Sequence, residues 1–109
     1  MKLVSWNVRG LGGAAKRREV SLLVREKKPF ILCLQETKLS VLDTFVCNSI
    51  WGDVNVNFSY RPSEGASGGL ATLWNLNEVE VWSSVSVDHV LLIAGRFFKS
   101  GEHFVVFNV

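Results

Sequence analysis

Proline and cysteine are scarce in this sequence, and long hydrophobic runs are missing. The 109 residues include two prolines and two cysteines. Charged residues interrupt the apolar stretches well before the ~20 residues that a membrane-spanning helix needs, and the N-terminus lacks the apolar segment of a signal peptide. Two cysteines do not make a disulfide framework, so the sequence predicts an intracellular protein with reduced thiols.

What the sequence does contain is typical of one globular domain. Hydrophobic residues make up 48% of the chain, which is enough for one modest core. Positive charge is concentrated toward the N-terminus: through Lys38 there are nine Lys or Arg against three Glu, and beyond it three against seven acidic residues. This asymmetry indicates either a phosphate-bearing partner or the solvated face of one basic helix. The basic residues of that helix are Lys16, Arg17, Arg18, Arg25, Lys27 and Lys28.

The first 35 residues have the pattern of a βαβ unit. Residues 2–7 are rich in strand formers, a glycine-rich loop follows, and a helix with one apolar face is predicted from Ala14 to Lys27. Pro29 ends this helix, and residues 30–35 are continuously apolar, as in strands that are covered on both faces. Two strands joined by a helix at this spacing are expected to lie parallel in one sheet.

The remainder of the chain is predicted to be dominated by strands. A short helix is expected over residues 41–50 with Ser40 as its N-cap, and residues 61–67 are expected to form a loop. Alternating apolar residues predict strands over 54–60, 68–75, 78–87, 89–98 and 102–109. The last of these strands continues to the final residue without a turn, which predicts a chain cut within a domain.

The histidines and tryptophans are predicted to have structural roles. His89 and His103 each fall at the predicted start of a strand. The four tryptophans, Trp6, Trp51, Trp74 and Trp82, are expected to pack in the core or between sheets.

Two polar residues follow the strands of the βαβ unit at the point where each strand ends. Asn7 closes the first strand and Glu36 follows the second. Ligands of α/β sheets bind beyond the carboxyl ends of the strands, where both side chains are expected to lie. Amide and carboxylate oxygens are ligands suited to Mg²⁺. The alternative is that Asn7 caps a turn and that Glu36 is a surface carboxylate.

The motifs around these residues resemble those of a known family. SWNVRGL, followed about one helix later by ILCLQETK, resembles the endonuclease/exonuclease/phosphatase family, and the similarity continues through SGGLATLW, GRFF and FVVFNV over nearly the whole chain. WNVRGLGG is most similar to the endonuclease domain of plant non-LTR (LINE-type) retrotransposons. Repair enzymes of the family more often carry an acidic residue at the position of Arg9.

The resemblance implies a fold and a set of site residues. The fold is a four-layered α/β sandwich, with mixed sheets facing each other and helices outside. Residues 1–109 would be the N-terminal part of one such domain, truncated after about half its length. Glu36 would be the Mg²⁺-binding glutamate, with Mn²⁺ as a substitute ion, and Asn7 would be a catalytic residue that supports metal and phosphate. Arg9 and Lys38 are weaker candidates for substrate contacts, the alternative for each being a solvated position.

The function implied by the resemblance is the N-terminal part of a Mg²⁺-dependent phosphodiesterase that nicks target DNA for a retroelement in the nucleus. Two alternatives remain open: a small-molecule or lipid phosphoesterase of the same family, and a non-catalytic remnant of a decayed element. The family's downstream Tyr, Asp/Asn and Asp-His motifs do not occur in the sequence, so residues 1–109 are expected to be inactive alone. DNA is the expected partner of the full-length protein, and neither a membrane nor a disulfide partner is expected.

Overall fold

Seven strands and two helices make up residues 2–109, the part of the chain that the computed structural model describes. They are β1 (Leu3–Asn7), α1 (Ala14–Lys27), β2 (Ile31–Gln35), α2 (Thr44–Trp51), β3 (Val56–Arg61), β4 (Leu70–Asn75), β5 (Val79–Val87), β6 (Val90–Phe97) and β7 (His103–Asn108). Neither helix in these residues is long and apolar enough to cross a bilayer.

The first sheet has the strand order β1-β2-β4-β3. Strands β1 and β2 are parallel, with Asn7 opposite Gln35, and α1 connects them, which confirms the predicted βαβ unit. Strand β4 lies antiparallel between β2 and β3, so the sheet is mixed. The parallel pair places the ends of β1 and β2 at the same edge of the sheet.

The second sheet is an antiparallel meander of β5, β6 and β7 that faces the first sheet. One core cluster lies between the helices and the first sheet, and a second lies between the two sheets. Strand β2 contributes to both, because Leu32 and Leu34 belong to the first cluster and Ile31 and Cys33 to the second. The predicted mixed α/β architecture, with facing sheets and outer helices, is therefore confirmed.

Helix α2 begins later than predicted. Its N-cap is Asp43, whose Oδ1 accepts a hydrogen bond from the backbone N–H of Val46 at 2.9 Å, so Ser40 is not the cap. Leu42, just before the cap, and Cys47, one turn into the helix, are both buried in the same core cluster. That pair forms a hydrophobic staple, which fixes the start of the helix at Thr44 and not at Val41.

Three of the four tryptophans pack as predicted, and Trp82 does not. Trp74 is buried between the sheets, and Trp6 and Trp51 pack against the helical core. Trp82 falls in a β-bulge, where the β5–β6 register shifts between Val81 and Ser83, and its side chain is 52% exposed. Val79 and Val81 lie on the core side of β5, so the alternation of the strand directs Trp82, like Glu80, to the outward face.

The two cysteines are free and buried, and their thiols are expected to react slowly. Burial raises the pKa of the Cys33 thiol to about 11, and burial together with the nearby Asp43 carboxylate raises the pKa of Cys47 to about 12. Because the thiolate is the reactive form, labelling by an aromatic disulfide at pH 8 should be at least about tenfold slower in the native chain than in guanidinium-unfolded chain. Equal labelling rates in the two states would contradict the packing of both residues.

Candidate active site

Asn7 and Glu36 meet at the carboxyl edge of the first sheet. Asn7 is the last residue of β1, and Glu36 follows the last residue of β2. The Asn7 side-chain amide donates a short hydrogen bond to Oε2 of Glu36, and Asn7 Oδ1 accepts one from the backbone N–H of Arg9 at 3.2 Å. The structure therefore brings together the two residues that the sequence singles out.

A ladder of backbone hydrogen bonds continues past the strand ends and holds Glu36 in place. The N–H of Gly10 donates to the carbonyl of Glu36 at 2.7 Å, and the N–H of Thr37 donates to the carbonyl of Gly69 at 3.1 Å. Gly69 has a φ of +96°, and a Cβ at this position would collide with the hydroxyl of the buried Thr37. Glycine is required here because the loop before β4 approaches the Glu36 loop so closely.

Three of the four candidate residues have a left-handed backbone. The φ angles are +53° at Arg9, +52° at Glu36 and +57° at Lys38. Each such residue other than glycine costs roughly 1 kcal/mol or more, and the surrounding hydrogen bonds must offset this cost. Backbone strain of this kind is common at functional sites, and here it is concentrated beside Glu36.

A cavity of about 300 Å³ opens beside Glu36, between the two sheets. Asn7, Gln35 and Glu36 line it at the ends of β1 and β2, Arg61 and Glu64 line it at and after the end of β3, and His89 lines it between β5 and β6. Arg9 and Lys38 are exposed and lie next to this edge, but they do not line the cavity. The structure thus separates the four candidates into two that line the cavity and two that flank it.

Two cavity residues were missed because the sequence interpretation placed them elsewhere. The sequence predicts a loop at Arg61, but in the structure Arg61 is the last residue of β3 and pairs with Leu70. His89 does not open a strand: with Asp88 it forms the two-residue turn between β5 and β6, with φ angles of +49° and +64°. The predicted strand position for His103 is correct, and its ring packs edge-on against Trp82.

A buried asparagine connects the second sheet to this site. Asn108 on β7 is 1% exposed, and its amide donates to the carbonyls of Leu34 and Ala71 at 3.2 and 3.0 Å. Its Oδ1 accepts from the Gln35 amide at 2.8 Å, and the same Gln35 nitrogen lies 2.9 Å from Ser5 Oγ. Because Gln35 directly precedes Glu36, this network fixes the position of the site edge relative to the second sheet. The alternation in FVVFNV already put Asn108 on the inward face with Phe104 and Val106, which was the available signal.

The oxygen ligands around Glu36 suit one kind of divalent cation. No group of three or more His, Cys, Asp or Glu side chains that could hold a metal occurs within residues 2–109. Glu36 alone offers a carboxylate beside Asn7, with Oε2 engaged by Asn7 and Oε1 left for a cation. This set is too small for Zn²⁺ or Ca²⁺ but fits Mg²⁺, which is usually bound by one or two carboxylates together with waters and substrate phosphate.

Known proteins resemble this chain in sequence and in fold. The exodeoxyribonuclease of Bacillus subtilis (strain 168) is 34% identical over 68 residues, which cover 62% of this chain and 26% of that protein. The solved AP endonuclease LMAP from Leishmania major superposes with a TM-score of 0.71 at 21% identity, over 98% of this chain and 39% of its own. ANGEL2, a 2′,3′-cyclic phosphatase solved with adenosine-2′,3′-vanadate, has a TM-score of 0.73 at 13% identity, over 95% of this chain and 39% of its own.

This chain spans only part of these relatives, which are two to four times longer than the region they share with it. The structural similarities support the fold. The sequence pattern of the Endonuclease/Exonuclease/phosphatase family matches residues 4–106, which include Asn7, Glu36 and the loops around them. The chain therefore belongs to the Endonuclease/Exonuclease/phosphatase family.

Proposed function

We propose that this chain carries the cation-binding part of a Mg²⁺-dependent phosphodiesterase site that acts on DNA. The observation that carries the proposal is the Asn7–Glu36 pair at the carboxyl ends of two parallel strands, beside a cavity of about 300 Å³. The names of two similar proteins, an exodeoxyribonuclease and an AP endonuclease, support DNA as the substrate.

Each residue has a defined part in this proposal. Glu36 would hold the cation through Oε1, while the Asn7 amide on Oε2 fixes the rotation of the carboxylate. The backbone ladder through Gly10 and Gly69 keeps Glu36 at the cavity wall. A bound divalent cation would screen the negative charge of a phosphodiester and so ease attack by a nucleophile.

The more specific form of the proposal is that this chain belongs to the endonuclease of a retroelement. The motif WNVRGLGG, with Arg9 in place of an acidic residue, supports a LINE-type endonuclease, and a nuclear location follows from that role. A small-molecule phosphoesterase is the second candidate. The similarity in fold to ANGEL2, a 2′,3′-cyclic phosphatase, supports it.

Cation binding tests the proposal directly in residues 1–109. Mn²⁺, a paramagnetic substitute, should broaden the NMR amide signals of residues 7–10 and 35–38 before all others. Glu36→Gln keeps the shape of the side chain and removes its charge, and it should weaken Mn²⁺ binding by about tenfold or more, since even the loss of a residue that only supports a metal ligand costs about 10–100-fold. The matched control is Glu26→Gln, an exposed carboxylate at the end of α1. Equal effects of the two changes would refute the assignment of Glu36.

The basic face of α1 offers a separate prediction on DNA binding. Lys16 pairs with Glu19 at 2.9 Å and Arg17 donates to the Leu11 carbonyl at 2.9 Å, whereas Arg18 is exposed. Replacing these three basic residues with Gln should reduce the slope of log K against log salt by about 1–3, since each lost phosphate contact removes about 0.9. The control variant replaces three basic residues at the other end of the helix with Gln, namely Arg25, Lys27 and Lys28. An unchanged slope in the first variant would make this face a solvated surface.

A further inference from the structure

One row of paired residues crosses the whole first sheet at the site edge. Asn7 pairs with Gln35, Gln35 with Leu70, and Leu70 with Arg61. Residues in one row of a sheet present their side chains to the same face, and here that face is turned toward the second sheet. Asn7 and Arg61 are thus three strand spacings apart, roughly 14 Å at about 4.8 Å per spacing, on opposite sides of one cavity.

The side chain of Arg61 is fixed at the far side of this cavity. One guanidinium nitrogen donates to Ser86 Oγ on β5 at 2.7 Å, and the residue is half-buried. A guanidinium has five N–H donors in a rigid plane, so the contact with Ser86 leaves donors available for a phosphate. The second sheet therefore orients Arg61 in the way that a recognition residue needs.

His89 lines the same cavity as Arg61, and its backbone conformation is unfavourable. Both residues of its turn, Asp88 and His89, have positive φ angles, a geometry that normally selects Asn-Gly or Asp-Gly. A glycine at position 89 would relieve the strain but would remove the imidazole from the cavity wall. The strained histidine lines the same cavity as Arg61.

We propose that Arg61 and His89 form a subsite for a second phosphate group of the substrate, next to the phosphate bound at Glu36. This inference rests on the proposed function and names its substrate class: a polynucleotide strand, with phosphates spaced along it, and not an ester with a single phosphate. The distance between Asn7 and Arg61 suits two groups along a chain better than one small anion.

The charges in the cavity add a condition to this proposal. Glu36 and Glu64 are both carboxylates in its lining, against the single guanidinium of Arg61. A substrate with two phosphates therefore enters favourably only when a cation compensates Glu36. Binding at Arg61 should accordingly depend on Mg²⁺, and Glu64→Gln should strengthen it.

The test compares two nucleotide probes on monomeric chain 1–109 by NMR titration with Mg²⁺ present. A 5′-phosphorylated thymidine dinucleotide should bind several-fold more tightly than thymidine 5′-monophosphate. Arg61→Gln should weaken dinucleotide binding by about tenfold or more, the effect of losing a charged hydrogen bond, and should change monophosphate binding by less than about twofold. Arg25→Gln, on α1 and outside the lining of this cavity, is the charge-matched control.

Two further variants keep the test decisive if Arg61→Gln unfolds the chain. Arg61→Lys keeps the charge but not the planar fork, and it should lose part of the dinucleotide preference. His89→Gly should raise the melting temperature and still weaken dinucleotide binding. A dinucleotide that binds no more tightly than the monophosphate, or that is indifferent to these variants, would overturn the subsite. If Mn²⁺ still broadens residues 35–38 in that case, the proposed function stands without it, and if that broadening is missing, both are overturned.

Discussion

Glu36→Gln, in a protein that carries the complete family domain, is expected to lower phosphodiester cleavage by about two to four orders of magnitude at saturating Mg²⁺. The variant keeps an oxygen for the Asn7 hydrogen bond, so the fold should be unchanged. It removes the carboxylate that lies beside Asn7 at the cavity, where the cation is proposed to bind. Charge stabilisation by a metal is worth several kcal/mol in the transition state, and each 1.36 kcal/mol is tenfold in rate.

Initial rates of plasmid nicking, together with thermal unfolding of both proteins, measure this effect. Glu26→Gln is the control for the loss of a carboxylate, and it should retain the parent rate. A Glu36→Gln protein that melts at the parent temperature and nicks at the parent rate would remove Glu36 from the reaction.

The elements that the sequence predicted well are those whose signals are local. The run FILCLQ predicted a strand covered on both faces, and β2 indeed contributes side chains to both core clusters. Helix α1 has the predicted bounds because its apolar face and Pro29 fix them. The juxtaposition of Asn7 and Glu36 followed from a general property of parallel strands, that their carboxyl ends meet at one edge.

The parts that the sequence could not supply depend on contacts between distant residues. Nothing local places β4 between β2 and β3, yet this order puts Arg61 in the same row as Asn7. The bulge at Trp82 lies next to Gly95, where a Cβ would collide with the Glu80 carbonyl, so its signal is a glycine on a different strand. His89 was misplaced because a turn of two residues with positive φ is ordinarily marked by glycine, and here it is not.

Residues 1–109 alone are expected to show no Mg²⁺-dependent nicking of DNA. Asn7 and Glu36 can hold a cation, but cleavage also requires a group that deprotonates the attacking water and one that stabilises the leaving oxygen. The cavity lining does contain an imidazole, that of His89. No carboxylate is hydrogen-bonded to that ring in the described residues to orient it as a base. The second sheet also leaves apolar side chains such as Val105 and Phe107 exposed, so self-association should accompany inactivity.

A nicking assay on the purified monomer, with an EDTA control, measures this expectation. Supercoiled plasmid should remain intact over hours in Mg²⁺, as it does in EDTA. Nicking that EDTA suppresses and that Glu36→Gln abolishes would show that residues 1–109 already contain a complete site. His89→Gln would then separate the explanations: loss of nicking would make His89 the base and not only part of a phosphate subsite, while retention would leave either Glu64 as the base or direct attack by hydroxide from solution. Because Glu64 is exposed at the rim of the cavity, Glu64→Gln in the same assay separates those last two.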